Sequence, residues 1–151
     1  MPSFSKTYPL TNEEDTKVLA ESLAKIAEKG DVIFLKGGLG AGKSTFSRFF
    51  IQFFLGDEVE IPSPTFTLVQ TYLTKDFTIW HFDLYRLNHS EEVFELGIED
   101  AFYEGVSLVE WPEKLSMYPS KYLLASFEST EKNRSVKVDC FGDWGKRSNA
   151  L

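Results

Sequence analysis

The residues with the clearest chemical potential are Gly37-Gly38-Leu39-Gly40-Ala41-Gly42-Lys43-Ser44, a G-x-x-x-x-G-K-[ST] run. Its glycines let the backbone wrap closely around an anion with amide hydrogens turned inward. Lys43 then brings an ammonium to the β- and γ-phosphates of a nucleoside triphosphate, and the Ser44 hydroxyl can ligate the Mg2+ that bridges them. By composition alone, such a run arises by chance in a chain of this length at a frequency on the order of half a percent.

A phosphate loop that hydrolyses its nucleotide also needs an acid for the metal shell and a group to orient the attacking water. Asp83 closes Thr78-Ile79-Trp80-His81-Phe82, and Glu110 closes Val106-Ser107-Leu108-Val109. Acids delivered by apolar strands sit where open α/β sheets place their ligands, and Glu110 follows the more apolar run. Ser63, Thr65 and Thr67 lie in and just after a proline-bounded loop. Their hydroxyls could sense a γ-phosphate as switch loops do, or simply cap the connection. His81 alternates with Trp80 and Phe82 and reads as a packed histidine rather than a ligand or base. Trp111 reads as a core ring placed to report on the site.

These groups must be positioned by strands and helices. Residues 32–35 are a continuous apolar run, the pattern of a strand buried on both faces. From Lys43 to about residue 55, Phe46, Phe49, Phe50 and Phe53 recur at helical spacing. The loop thus lies between a strand and a helix, as phosphate binding requires. An earlier helix is expected to start at Thr11, with Glu14 completing a capping box, and to end at Gly30. Residues 66–73 and 77–84 read as strands joined by Thr74-Lys75-Asp76, a hairpin that makes part of the sheet antiparallel. Residues 91–95 read as a short helix ended by Gly97. Residues 106–110, 122–127 and 135–141 read as further strands, and residues 142–151 as an irregular tail.

The totals fit a single domain over residues 1–151. Hydrophobic residues make up 42%, and 14 Phe, 6 Tyr and 3 Trp supply large buried areas. Sixteen basic against 23 acidic residues leave a net charge of −7, which opposes non-specific attraction to nucleic acid and suits a basic protein partner. One cysteine, Cys140, allows no internal disulfide, and the amino terminus has no signal-peptide core, so a cytosolic location is expected. No stretch is long and apolar enough for a membrane span. Two histidines and one cysteine argue against structural zinc.

Taken together, four blocks resemble the TsaE (YjeE) family, in the order found there: Gly37 to Thr45, Ser63-Pro64-Thr65-Phe66-Thr67-Leu68-Val69, His81-Phe82-Asp83-Leu84-Tyr85-Arg86-Leu87, and Val109-Glu110-Trp111-Pro112-Glu113-Lys114. Glu95-Leu96-Gly97-Ile98-Glu99-Asp100 is similar as well. The resemblance implies a P-loop NTPase-like α/β three-layer sandwich with a mixed, partly antiparallel sheet. It implies a bacterial ATPase, weak alone, that resets or regulates the TsaB–TsaD complex making threonylcarbamoyladenosine in tRNA. TsaD transfers the threonylcarbamoyl group, and tRNA is met indirectly, through the complex. ATP, its product ADP, and Mg2+ are the implied ligands. Ser44 and Glu110 would hold the metal, Lys43 the phosphates, and Asp83 would support the metal or the water. Gly38, Leu39, Gly40, Ala41, Gly42 and Thr45 would line the nucleotide and Thr65 would act as a switch. Arg134 and Thr11 would lie near the adenine. Two positions depart from the family: Gly38 stands where an acidic residue is more common, and Ser44 where Thr is.

Two other functions compete with this reading. A small-molecule kinase clamps its transferred phosphate with several arginines, yet the chain has only Arg48, Arg86, Arg134 and Arg147. A binding module would hold nucleotide with little turnover, which Glu110→Gln would distinguish. The guanine signature Asn-Lys-x-Asp is absent, against a GTPase.

Overall fold

The computed structural model describes residues 1–142, 144 and 147–151; Asp143, Gly145 and Lys146, part of the expected tail, lie outside the described residues. In chain order the elements are β1 (Phe4–Pro9), α1 (Glu13–Ile26), β2 (Val32–Lys36), α2 (Lys43–Leu55), β3 (Val69–Leu73), β4 (Thr78–Asp83), α3 (Glu92–Glu95), α4 (Ile98–Glu104), β5 (Val106–Glu110), β6 (Tyr122–Ser129) and β7 (Arg134–Phe141).

The strands form one seven-stranded sheet in the order β1-β7-β6-β2-β5-β4-β3. β6, β2, β5 and β4 run parallel at its centre. The expected hairpin is there: β3 pairs antiparallel with β4, Gln70 opposite His81 and Val69 opposite Phe82. At the other edge β7 runs antiparallel to both β6 and β1. Alternation along β2 splits its apolar run between two cores. Ile33 and Leu35 face α1 and α2, packing with Leu19, Leu23, Phe46 and Phe50. Val32 and Phe34 face α3 and α4, packing with Val93, Ile98 and Ala101. This makes the three-layer α/β sandwich that was expected. Phe46 and Phe50 are fully buried, each worth about 1.5–3 kcal/mol of transfer free energy, and they fix α2 against the sheet.

The structure corrects several boundaries. The first helix is capped one residue later than expected: Asn12 Oδ1 accepts from the Asp15 amide, while Asp15 Oδ2 accepts from the Thr11 amide. Four acidic or amide residues in succession made the two registers equivalent on paper, and the structure takes the one that frees Thr11. The helix ends at Ile26 with Ala27 as its cap, not at Gly30, which serves a later turn. The third strand begins at Val69 rather than at residue 66. The Leu68 amide bonds Pro64 O at 2.7 Å and Leu68 takes a left-handed φ of 69°, so residues 64–68 close a turn, while the Leu68 carbonyl still accepts from the Asp83 amide of β4 at 2.9 Å. The tail is not wholly irregular: Trp144 is buried and Arg147–Ala150 forms a 3-10 turn. β1 and α4 were not foreseen.

Candidate functional site

β2 delivers the chain to the phosphate loop at the carboxyl end of the parallel sheet. Gly37 has φ 151°, and a Cβ there would lie 2.8 Å from Phe127 O, so only glycine lets the loop leave the strand against β6. Gly42, at φ 117°, turns the chain into α2. The first turn of that helix carries no acid and no side-chain cap, so its amide hydrogens and dipole are left for an anion.

The two acids are brought side by side. β4 and β5 are parallel neighbours, and their register places Asp83 opposite Glu110, with Glu110 in turn opposite Leu35 of β2. Glu110 is 2% exposed and Asp83 6%. Glu110 Oε1 accepts from Ser44 Oγ at 3.4 Å, while Oε2 lies 2.6 Å from His81 Nε2. Asp83 Oδ2 accepts from Thr65 Oγ1 at 3.3 Å, and Oδ1 from the Tyr85 amide at 3.0 Å. Ser63 bonds Thr65 at 2.7 Å, which links the proline-bounded loop to Asp83. Thr67 instead meets Gln70 and takes no part.

Lys43 is 5% exposed and does not touch either acid. Its ammonium donates to Gly37 O, and to Gly38 O at 3.3 Å, and lies 3.8 Å from the centre of the Trp111 ring. Burial lowers its pKa below the ordinary amine value, and Glu110, Glu113 and Asp83 pull it partly back. Trp111 holds a left-handed φ of 62° and packs on Tyr85 at 4.8 Å, so the ring is locked over Lys43 rather than sunk in the core.

A cavity of about 190 Å3 is lined by Leu39, Gly40, Gly42, Lys43, Ser44, Thr45, Thr65, Asp83, Glu110, Trp111 and Arg134. A second, of about 260 Å3, shares Gly42, Thr45 and Arg134 with it and adds Thr11, Ala41, Asn12, Glu13 and Thr16. A third, of about 470 Å3, continues past Thr11 and Arg134 along the β6–β7 hairpin. The groove so formed is lined by all the residues singled out as nucleotide- or metal-binding except Gly38, whose carbonyl accepts from Lys43 and from the Ala41 amide. Sequence reasoning missed Asn12, Glu13, Thr16 and the bond of His81 to Glu110. The last had a signal: His81 stands two residues before Asp83 on a strand and shares its face.

The donor set suits a hard divalent cation. Ser44 Oγ and Glu110 Oε1 converge, with Asp83 opposite, and all are oxygens. Among the described residues no group of three or more His, Cys, Asp and Glu could hold a metal. Mg2+ here would complete its shell with phosphate and water, as it does in phosphoryl-transfer sites.

Comparison with known proteins gives the family and the fold. A family model described as threonylcarbamoyl adenosine biosynthesis protein TsaE matches residues 10–136. A Rickettsia conorii protein named tRNA threonylcarbamoyladenosine biosynthesis protein TsaE is 48% identical over 130 residues, covering 85% of this chain and 74% of that one. A Rickettsia felis protein of the same name is 51% identical over 104 residues, 69% of this chain; the match spans 61% of that relative's length. The Haemophilus influenzae namesake is 37% identical over 133 residues, covering 86% and 84%. The crystal structure of YdiB from Bacillus subtilis superposes with a TM-score of 0.73 at 29% identity, covering 95% of this chain and 90% of that one. The family model's extent and the identity of these relatives, together with the shared fold, establish that the chain belongs to the TsaE family.

Proposed function

We propose that the protein binds ATP with Mg2+ and hydrolyses it, as the ATPase subunit of the machinery that makes threonylcarbamoyladenosine in tRNA. The observation that carries the reading is the convergence of Lys43, Ser44, Asp83 and Glu110 on one cavity at the mouth of α2. In this reading Lys43 leaves the Gly37 carbonyl to meet the β- and γ-phosphates, which replace the loop oxygens as its acceptors. Bound Mg2+ would neutralise charge developing on the phosphates. Ser44 and Glu110 would hold it, and Asp83 would orient the attacking water, with Thr65 linking Asp83 to the switch loop. Thr11 and Arg134 would flank the base. ADP would be the product.

The relatives' names supply the pathway, the family resemblance supplies TsaB and TsaD as partners, and the single cysteine fits a cytoplasmic setting. Among the described residues no helix is long and apolar enough to cross a membrane. The kinase alternative gains nothing, since Arg134 alone of the four arginines lines the cavity.

The test is ATP hydrolysis by the purified protein, alone and with a reconstituted TsaB–TsaD pair, with Lys43→Ala as control. Turnover stimulated by the pair and lost in the variant supports the proposal. Turnover indifferent to the pair removes the assigned partners, and turnover undiminished in a folded Lys43→Ala protein removes the assigned site.

A further inference from the structure

His81 is buried, 2% exposed, on the α2 face of β4. Its neighbours on that face are apolar on one side, Ile79 on its own strand and Leu108, its register partner on β5, and polar on the other, Asp83 on its own strand and Gln70, its register partner on β3. An aliphatic side chain could pack against Ile79 and Leu108. The imidazole instead spends Nε2 on Glu110 Oε2 at 2.6 Å and leaves Nδ1 buried without a partner among the described residues. An orphaned buried acceptor costs stability, so packing alone does not explain this residue. What the bond does is visible in the carboxylate. A Glu side chain on a strand end has several rotamers, and its two oxygens are otherwise equivalent. Holding Oε2 from behind turns Oε1 toward Ser44 Oγ, 3.4 Å away, and toward the cavity. An ionised carboxylate only accepts, so the imidazole proton sits on Nε2 in this pair.

We propose that His81 is a positioning residue: by donating from Nε2 to one oxygen of Glu110, it aims the other at the metal side of the nucleotide site. The inference rests on the proposed Mg2+–nucleotide function. It differs from that function in what it touches, because His81 meets neither phosphate nor cation and acts only through Glu110. Its loss should therefore weaken the linkage between Mg2+ and nucleotide and leave metal-free nucleotide binding alone. Partners that orient a ligating carboxylate or imidazole change metal affinity by about 10–100-fold when removed.

The experiment is calorimetric titration of a non-hydrolysable ATP analogue into the full chain at stepped Mg2+ concentrations and in chelator, for wild type, His81→Leu and His81→Gln. Leucine can pack against Ile79 and Leu108 and donates nothing; the glutamine amide can reach where Nε2 stands. The Mg2+ concentration at half effect should rise about tenfold in His81→Leu and return to within about threefold of wild type in His81→Gln. Affinity in chelator should agree among the three. If His81→Leu does not give the wild-type circular dichroism spectrum, His81→Asn replaces it, its amide being too short to reach Glu110. A Leu or Asn variant with the wild-type Mg2+ midpoint overturns the inference, as does a Gln variant no better than either. A wild-type protein whose nucleotide affinity ignores Mg2+ overturns the proposed metal site itself, and His81's role with it.

Discussion

Buried carboxylates sit at both ends of the parallel strands, one before β2 and two at the carboxyl end, and their company differs. Asp31, just before β2, is wholly buried and surrounded by cations. Arg147 meets it with two bonds of 2.7 and 2.9 Å, Lys121 stands 3.6 Å away, and the Glu28 amide donates at 2.7 Å. Arg147 also bonds Ile26 O at the end of α1 and Glu28 at 3.2 Å, and covers the Trp144 ring at 4.3 Å. The cluster ties helix end, strand starts and tail into one neutralised knot. Glu110 and Asp83, at the carboxyl end, are held by a histidine, hydroxyls and an amide. Lys43, the cation beside them, is bonded to loop carbonyls instead. A carboxylate matched by bidentate arginine is built for the fold. In the proposed function, a pair of acids with an averted lysine receives a ligand that brings its own charges, as Mg2+ and phosphate would.

The largest expected effect separates the two ends at once. Lys43→Ala should cut ATP turnover by roughly a hundredfold or more, the scale seen when a positioned donor to developing charge is removed. Its melting temperature should stay near that of wild type, because a buried, pKa-depressed ammonium adds little to stability. A variant that melts much earlier would place Lys43 with Asp31, as a structural charge.

Asp31→Asn should do the reverse. Removing one side of a buried ion pair costs about 3–5 kcal/mol, and since the Arg147 side chain keeps 18% of its surface in water the low end applies. At about 3 kcal/mol the melting temperature drops by roughly 6–12 °C for a chain of this size, with turnover per folded molecule unchanged. Calorimetry and an assay below the transition test both halves. Loss of turnover without loss of stability would sink the division of labour between the two ends.

Asp83→Asn is the finer cut within the carboxyl end. The amide keeps the shape and an oxygen for the Tyr85 amide but loses the charge facing the cavity. Hydrolysis should slow by about a hundredfold, the low end of the scale for a positioned general base, with the melting temperature held. A rate equal to wild type would remove Asp83 from the mechanism and leave Glu110 as the working acid.

How legible this was depended on where each residue's partners lie in sequence. The phosphate loop, β2, α2 and β5 announce themselves because motif, glycines and apolar period are local. Asp83 and Glu110 were both visible as strand-ending acids, and their pairing followed once β4 and β5 proved to be neighbours. β1 was not visible: Phe4–Pro9 is an edge strand with only Phe4 and Tyr8 partly covered, ending in a proline, so no alternation marks it. The tail looked irregular because Arg147 is held by Asp31, more than a hundred residues away in the chain, and Trp144 sinks into the core beneath it. His81 was read as packed because its burial is local information, whereas its partner Glu110 lies on another strand.

The smallest expected effect lies inside the phosphate loop, where adjacent glycines should answer differently. A Cβ at Gly38 meets nothing within 4 Å, and its backbone is not left-handed. Gly38→Ala should therefore stabilise the fold by about 0.4–1 kcal/mol, through a less flexible unfolded chain, without loss of nucleotide affinity. Gly37→Ala faces a φ of 151° and a Phe127 carbonyl 2.8 Å from the new Cβ, so either the loop or β6 must move. Urea denaturation of the two single variants, with nucleotide binding measured on each, decides the matter. Equal losses in both would mean that the loop needs glycine throughout. The opposed outcome would show that only the turn out of β2 does, and that Gly38 is an open position at the rim of the site.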